Sequence, residues 1–125
     1  MANELQITVA VKYQKGNSRT LDETYGPKKV TVSGNPAILG AIVSVGTSEE
    51  VIPLAEVTAA GALMFGKNLD DTNYIEIRDA TGAANDVVKV GPGEPFCFRF
   101  GSDVTAPYWI ANTAACLVEY TLISA

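Results

Sequence analysis

Along this chain, apolar residues recur at every second position far more often than at every third or fourth. Leu5, Ile7, Val9, Val11 and Tyr13 alternate with Gln6, Thr8, Ala10 and Lys12, which is the pattern of a strand with one buried face. Val30 and Val32 alternate with Lys29 and Thr31. The stretch 38–45 is apolar on both faces, as for a strand covered on both sides, and Gly46 ends it. Val51 and Ile52 form a short strand stopped by Pro53, and residues 63–65 start another that ends near Lys67 and Asn68. In 74–78 both Ile75 and Ile77 point inward. Strands 87–90 and 95–100 flank Gly91-Pro92-Gly93, which reads as a hairpin connection, and 108–110 and 116–123 complete the set.

Nine or ten short strands with a turn signal about every ten residues predict an all-β fold, an antiparallel β-sandwich or jelly-roll, rather than βαβ units. The one helical candidate is 54–62, where Gly61 and the β-branched pair Val57-Thr58 favour turns instead. Two polar excursions interrupt the strands. Residues 14–27 (QKGNSRTLDETYGP) hold no clear strand and read as a long loop, of a length that often carries function. Residues 79–86 (DATGAAND) read as a loop tip. Without a linker or repeat, residues 1–125 are expected to form one domain.

Composition adds a hint about partners. Apolar residues make up 47% and charged residues only 18% of the 125, below the roughly 25% charged of an average soluble domain. Either part of the apolar exterior is an interface, or the chain is a soluble sandwich whose surface is rich in Thr, Ser and Asn. The net charge of −5 disfavours nucleic acid, whose phosphates call for clustered Lys and Arg. The charge is also uneven. Residues 1–29 hold five basic and three acidic side chains, whereas the remainder holds four basic and eleven acidic ones. Opposite-signed regions suit self-association or docking on a patterned protein surface. The start Met1-Ala2-Asn3-Glu4 has no secretory pattern, and no run approaches the ~20 apolar residues of a membrane span. Synthesis in a cytoplasm and no membrane partner are the expectations.

The chemistry of catalysis is thin here. There is no histidine, which removes Ser-His-Asp and Cys-His arrangements and most zinc sites. GPGEPF (91–96) lacks the third glycine, the lysine and the helix of a phosphate loop. Asp70-Asp71 and Glu49-Glu50 are sequence neighbours in turn-like contexts, poor candidates for a glycosidase pair. Asp70, Asp71, Asn73 and Asp86 could hold calcium only if their loops converged, and they lack the spacing of a calcium loop. Neither enzyme activity, cofactor nor metal is expected. Cys97 shares a strand face with Arg99, opposite the three Phe of 96–100. Cys116 shares a face with Val118, Tyr120 and Leu122, so the two sulfurs are expected on different sides, as free thiols. Trp109, beside Tyr108, is either a core plug or an interface anchor.

The succession VIPLAEVTAAGALMFGKNLDDTNYIEIRD (51–79), KVGPGEPFCFRF (89–100) and APYWIANTAACLVEYTLIS (106–124) resembles a group of small β-sandwich structural proteins of tailed-bacteriophage virions, which includes capsid decoration (cement) proteins. The resemblance covers roughly residues 50–124 and carries no catalytic residues. It implies a virion location, many copies, and protein partners: the major capsid protein or another virion protein, and copies of the chain itself as a homotrimer. On that expectation the chain decorates and stabilises the head shell. The alternative is a tail or fibre component recognising a host receptor through Tyr108 and Trp109. The candidate interface residues are Lys15, Arg19, Tyr25, Lys28, Tyr108 and Trp109.

Overall fold

The fold was obtained as a computed structural model, which describes residues 5–16, 19–32 and 37–124. It is all-β: the described residues form ten strands, antiparallel throughout, and one short 3-10 turn at Ala83–Asn85. The chain divides into two compact units, Met1–Ser33 and Gly34–Ala125.

The first unit is a two-stranded ribbon. β1 (Leu5–Lys15) pairs with β2 (Arg19–Val30) from Lys15↔Arg19 at the turn to Leu5↔Val30 at the far end. The loop excursion expected over 14–27 is therefore mostly strand, a correction with a simple cause. Side chains in β2 are selected by pairing across the ribbon and not by burial, so Thr, Asp, Glu and Lys replace the apolar alternation that marks a covered strand. The register shifts between Ile7 and Val9, where Gly26 has φ 105° and a Cβ would lie 2.7 Å from the Ile7 carbonyl oxygen. Only glycine fits that approach. Pro27 follows inside the same bulge, where no ladder donor is required.

The second unit is a sandwich of two four-stranded sheets. Its strands are β3 (Ala37–Val45), β4 (Glu50–Val51), β5 (Leu63–Asn68), β6 (Ile75–Arg78), β7 (Asp86–Val90), β8 (Pro95–Arg99), β9 (Tyr108–Ala111) and β10 (Cys116–Ile123). One sheet has the order β3-β10-β5-β8 and the other β4-β9-β6-β7. The pairs β3–β10, β4–β9, β5–β8 and β6–β7 are nested in sequence. The unit is thus one long double ribbon rolled on itself, the jelly-roll arrangement.

The core lies between these sheets. Val45, Met64, Cys116, Val118, Tyr120 and Leu122 come from one, and Ile75, Ile77, Val90, Trp109 and Ala111 from the other. Trp109, 0% exposed, meets Tyr120 edge-on with ring centroids 5.3 Å apart. The Tyr120 hydroxyl donates to the Pro53 carbonyl at 2.8 Å, so a ring buried for its area keeps its polar end satisfied. Phe96 and Phe100 turn inward while Cys97 is exposed and Cys116 buried, and both thiols are free. Gly66 lies where β5 crosses close to β10, since a Cβ there would run into the backbone of Glu119 and Tyr120.

Two further expectations are corrected. The stretch 38–45 is not covered on both faces: β3 is an edge strand, and Leu39 and Ile42 are 74% and 60% exposed. Residues 91–94 do not close a hairpin either. β7 pairs with β6 and β8 with β5, in different sheets, so this turn is a corner at which the chain changes layers. Asn68, fully buried, builds that corner. Its side-chain amide donates to the carbonyls of Val90 and Gly91 at 3.3 and 3.1 Å and to that of Asn73 at 2.9 Å. Its Oδ1 accepts the Asp70 N–H at 3.0 Å. Residues 54–62 are turns, without a helix.

Candidate interaction surfaces

The ribbon register sets the composition of its two faces. Residues directly opposite in an antiparallel pair lie on one side, so Val9↔Tyr25, Val11↔Glu23 and Tyr13↔Leu21 form one face, and Ala10↔Thr24, Lys12↔Asp22 and Gln14↔Thr20 the other. The first face is apolar apart from Glu23, and Val9, Val11, Tyr13, Leu21 and Tyr25 are all exposed, Tyr25 at 57%. The expected half-buried strand is thus present in its alternation and absent in its burial. Contiguous apolar surface of this kind marks an interaction site, in contrast to single apolar residues scattered on a surface. Lys15 falls at the turn end of this face and Lys28, paired with Ile7, at the other. Arg19 pairs with Lys15. Four of the six interface candidates therefore share one ribbon.

The sandwich presents two more apolar areas. On the outside of the first sheet, Ile42 on β3 and Leu117 on β10 (53% exposed) stand in adjacent strands, and Ile42 lies opposite Glu119. On the outside of the second, Val51 pairs with Tyr108. Tyr108 is half-buried there, because Trp109 and Ala111 take the inward positions of β9. Trp109 is the sequence candidate that this arrangement removes from any interface. The strand's alternation fixes its indole in the core, where its Nε1 has no hydrogen-bond partner among the described residues.

Charged groups cluster around Arg78 at the end of β6, beside β7 and the segment preceding β4, and there they are structural. Arg78 donates to Asp86 through Nε and to Glu49 through Nη1, each at 2.5 Å. Glu49 also accepts from the Thr81 hydroxyl and, at 2.7 Å, from the Gly82 N–H. These donors hold Glu49 down from 4.5 to about 2, led by the Thr81 hydroxyl, then Gly82 and Arg78. The two acceptors raise Arg78 in return. Burial, with Asp86 nearby, pushes the neighbouring Glu76 up. The arrangement pins the 79–86 loop to the segment preceding β4.

The other carboxylates weighed from the sequence are similarly occupied. Asp70 accepts the N–H groups of Thr72 at 2.9 Å and Asn73 at 2.6 Å, which closes a turn and lowers its pKa. Asp70 and Asp71 serve this turn while Asp86 serves Arg78, so the four oxygen donors considered for calcium do not converge. Among the described residues no group of three or more metal-binding side chains occurs. Burial raises the Cys116 thiol, away from the reactive thiolate form. The exposed apolar surfaces are the distinctive features of the described residues. Comparison of the chain with protein-family models, with curated proteins and with solved structures finds no match.

Proposed function

We propose that this chain is a non-enzymatic structural protein of a tailed-phage virion, a decoration protein that binds and stabilises the head shell in many copies. The observation that carries the reading is apolar surface left exposed in both units of one small chain: the ribbon face, and the outer faces around Ile42–Leu117 and Val51–Tyr108. A protein whose role is to bury surface against other subunits needs such faces, and it needs no reacting group. The resemblance of residues 50–124 to virion structural proteins supplies the biological setting. The jelly-roll agrees with that setting, since capsid and lectin domains use it, although a fold alone assigns no function.

In this reading the Val51–Tyr108 face meets the shell. Co-sedimentation of the purified chain with head shells stripped of decoration tests it. Saturable binding in proportion to the shell subunits is expected, with Val51→Glu lowering occupancy and shell heat resistance together. A chain that stays in the supernatant at every concentration defeats the reading. The receptor-binding alternative needed an exposed aromatic platform at Tyr108 and Trp109, and with Trp109 in the core no observation favours it.

A further inference from the structure

We infer that the apolar face of the ribbon is a clasp for a second copy of this chain, lying across the outer face of β3 and β10 in that copy's sandwich. The inference concerns the chain alone and does not depend on the virion reading.

The ribbon is the first ground. Two strands without a third, or without a layer stacked on them, are marginally stable in water. Yet β1 and β2 run for 11 and 12 residues and gather Val9, Val11, Tyr13, Leu21 and Tyr25 on one side. In the chain by itself that side is exposed. A face of this composition gains from being covered, by roughly 25 cal/mol for each Å² of apolar surface removed from water.

Charge decides what covers it. The unit Met1–Ser33 holds two more basic than acidic side chains, while Gly34–Ala125 holds seven more acidic than basic ones. Ribbon against ribbon would bring two positive surfaces together. Ribbon against a neighbour's sandwich brings opposite signs together, which favours encounter and sets orientation. Lys15 and Lys28 stand at the two ends of the ribbon face, and the receiving face carries Glu119 between Ile42 and Lys67 in register. Among the described residues none of Lys15, Lys28 and Glu119 belongs to an ion pair.

The receiving surface has the right form. Ile42 and Leu117 are exposed on adjacent strands, and Leu39 projects beside them on β3. β3 is the edge of its sheet, and Gly40, with φ 61°, bends it at the point where the register with β10 shifts. Each copy offers one ribbon and one receiving face. The contact is therefore heterologous, and copies that clasp in sequence close into a ring when the rotation permits.

The test mixes two populations of the full chain. An isotopically heavy copy carries a photo-reactive side chain at position 11, and a light copy carries none. Heavy–light adducts mapped to residues 39–42 and 117–119 of the light copy are the expected result. Adducts confined to the heavy copy's own sequence, adducts joining residue 11 to another ribbon, or a chain that stays monomeric would each overturn the inference. Sedimentation equilibrium gives an independent readout. Val11→Lys and Ile42→Lys, on opposite sides of the contact, should each weaken association at least ~10-fold, and added salt should weaken the unsubstituted protein. Ile42 is exposed on the folded sandwich, so unchanged melting of Ile42→Lys verifies folding, and unchanged association in that variant defeats the proposal.

Discussion

The ribbon and the sandwich are written in the same alternating code, and the outcome differs. Leu5, Ile7, Val9, Val11 and Tyr13 alternate as cleanly as Cys116, Val118, Tyr120 and Leu122, yet the second set is buried while Val9, Val11 and Tyr13 are exposed. The second set owes its burial to a facing sheet within its own unit. β10 sits between β3 and β5 and faces Trp109 of the other sheet, whereas among the described residues β1 pairs with β2 alone. Period-two patterning thus reports that one face is meant to be covered, and is silent about whether the cover belongs to the same chain.

The sharpest way to break this contrast is to delete large side chains on each side of it. Trp109→Ala should cost the sandwich about 3–5 kcal/mol, since it opens a cavity against Tyr120 in the middle of the core. A urea titration followed by Tyr fluorescence or circular dichroism reads the loss, and a cost below about 1 kcal/mol would mean the core is not organised around this residue. Asn68→Ala comes next. It leaves the carbonyls of Asn73, Val90 and Gly91 without their side-chain donor at the corner between sheets, at roughly 2–3 kcal/mol by the same titration. A near-neutral result would show that the corner is held by its glycines and by Glu94, which accepts the Gly91 N–H at 2.8 Å.

Acid sharpens the comparison further, because the ionic clasp belongs to the sandwich alone. Glu49 has its pKa depressed in the folded state, from 4.5 to about 2. Its contribution is therefore complete above about pH 4.5 and is lost as the pH falls toward 2. Glu76, shifted the other way, relaxes on acidification and partly offsets this. Melting temperature measured across that window should fall more steeply in the unsubstituted protein than in Glu49→Gln, and parallel slopes would count against the clasp. The smallest effect is expected on the ribbon. Val11→Ala should change the sandwich's unfolding free energy by less than about 0.5 kcal/mol, and a larger loss would mean that the two units share a folding transition.

Much of the sandwich was legible. β5, β6, β9 and β10 fall where alternation places them, and the opposite facing of Cys97 and Cys116 follows from their neighbours in 95–100 and 116–123. Three features were hidden for identifiable reasons. β2 carries charged and hydroxyl side chains because its job is pairing, and between Arg19 and Gly26 its apolar positions are Leu21 and Tyr25. β3 looked doubly covered because both of its faces are apolar, although Leu39 and Ile42 are exposed on this edge strand. The 91–94 turn has hairpin chemistry, and what makes it a corner is Asn68, more than twenty residues away. The sites follow the same logic. The register of the ribbon groups Lys15, Lys28 and Tyr25, which sequence could only suggest separately, and the alternation of β9 separates Tyr108 from Trp109.

The nested order of the eight sandwich strands also governs when this protein can fold. β10 is the last of them to be synthesised, yet it occupies an inner place in its sheet, bonded to both β3 and β5. Until it emerges, β3 has no partner in its sheet, and the inward faces of Met64 and Trp109 have no Val118, Tyr120 or Leu122 to meet. A ribosome still holding that segment carries a chain with its halves unjoined and its apolar strands open to other nascent copies. The ribbon, with all its pairing local, can form long before.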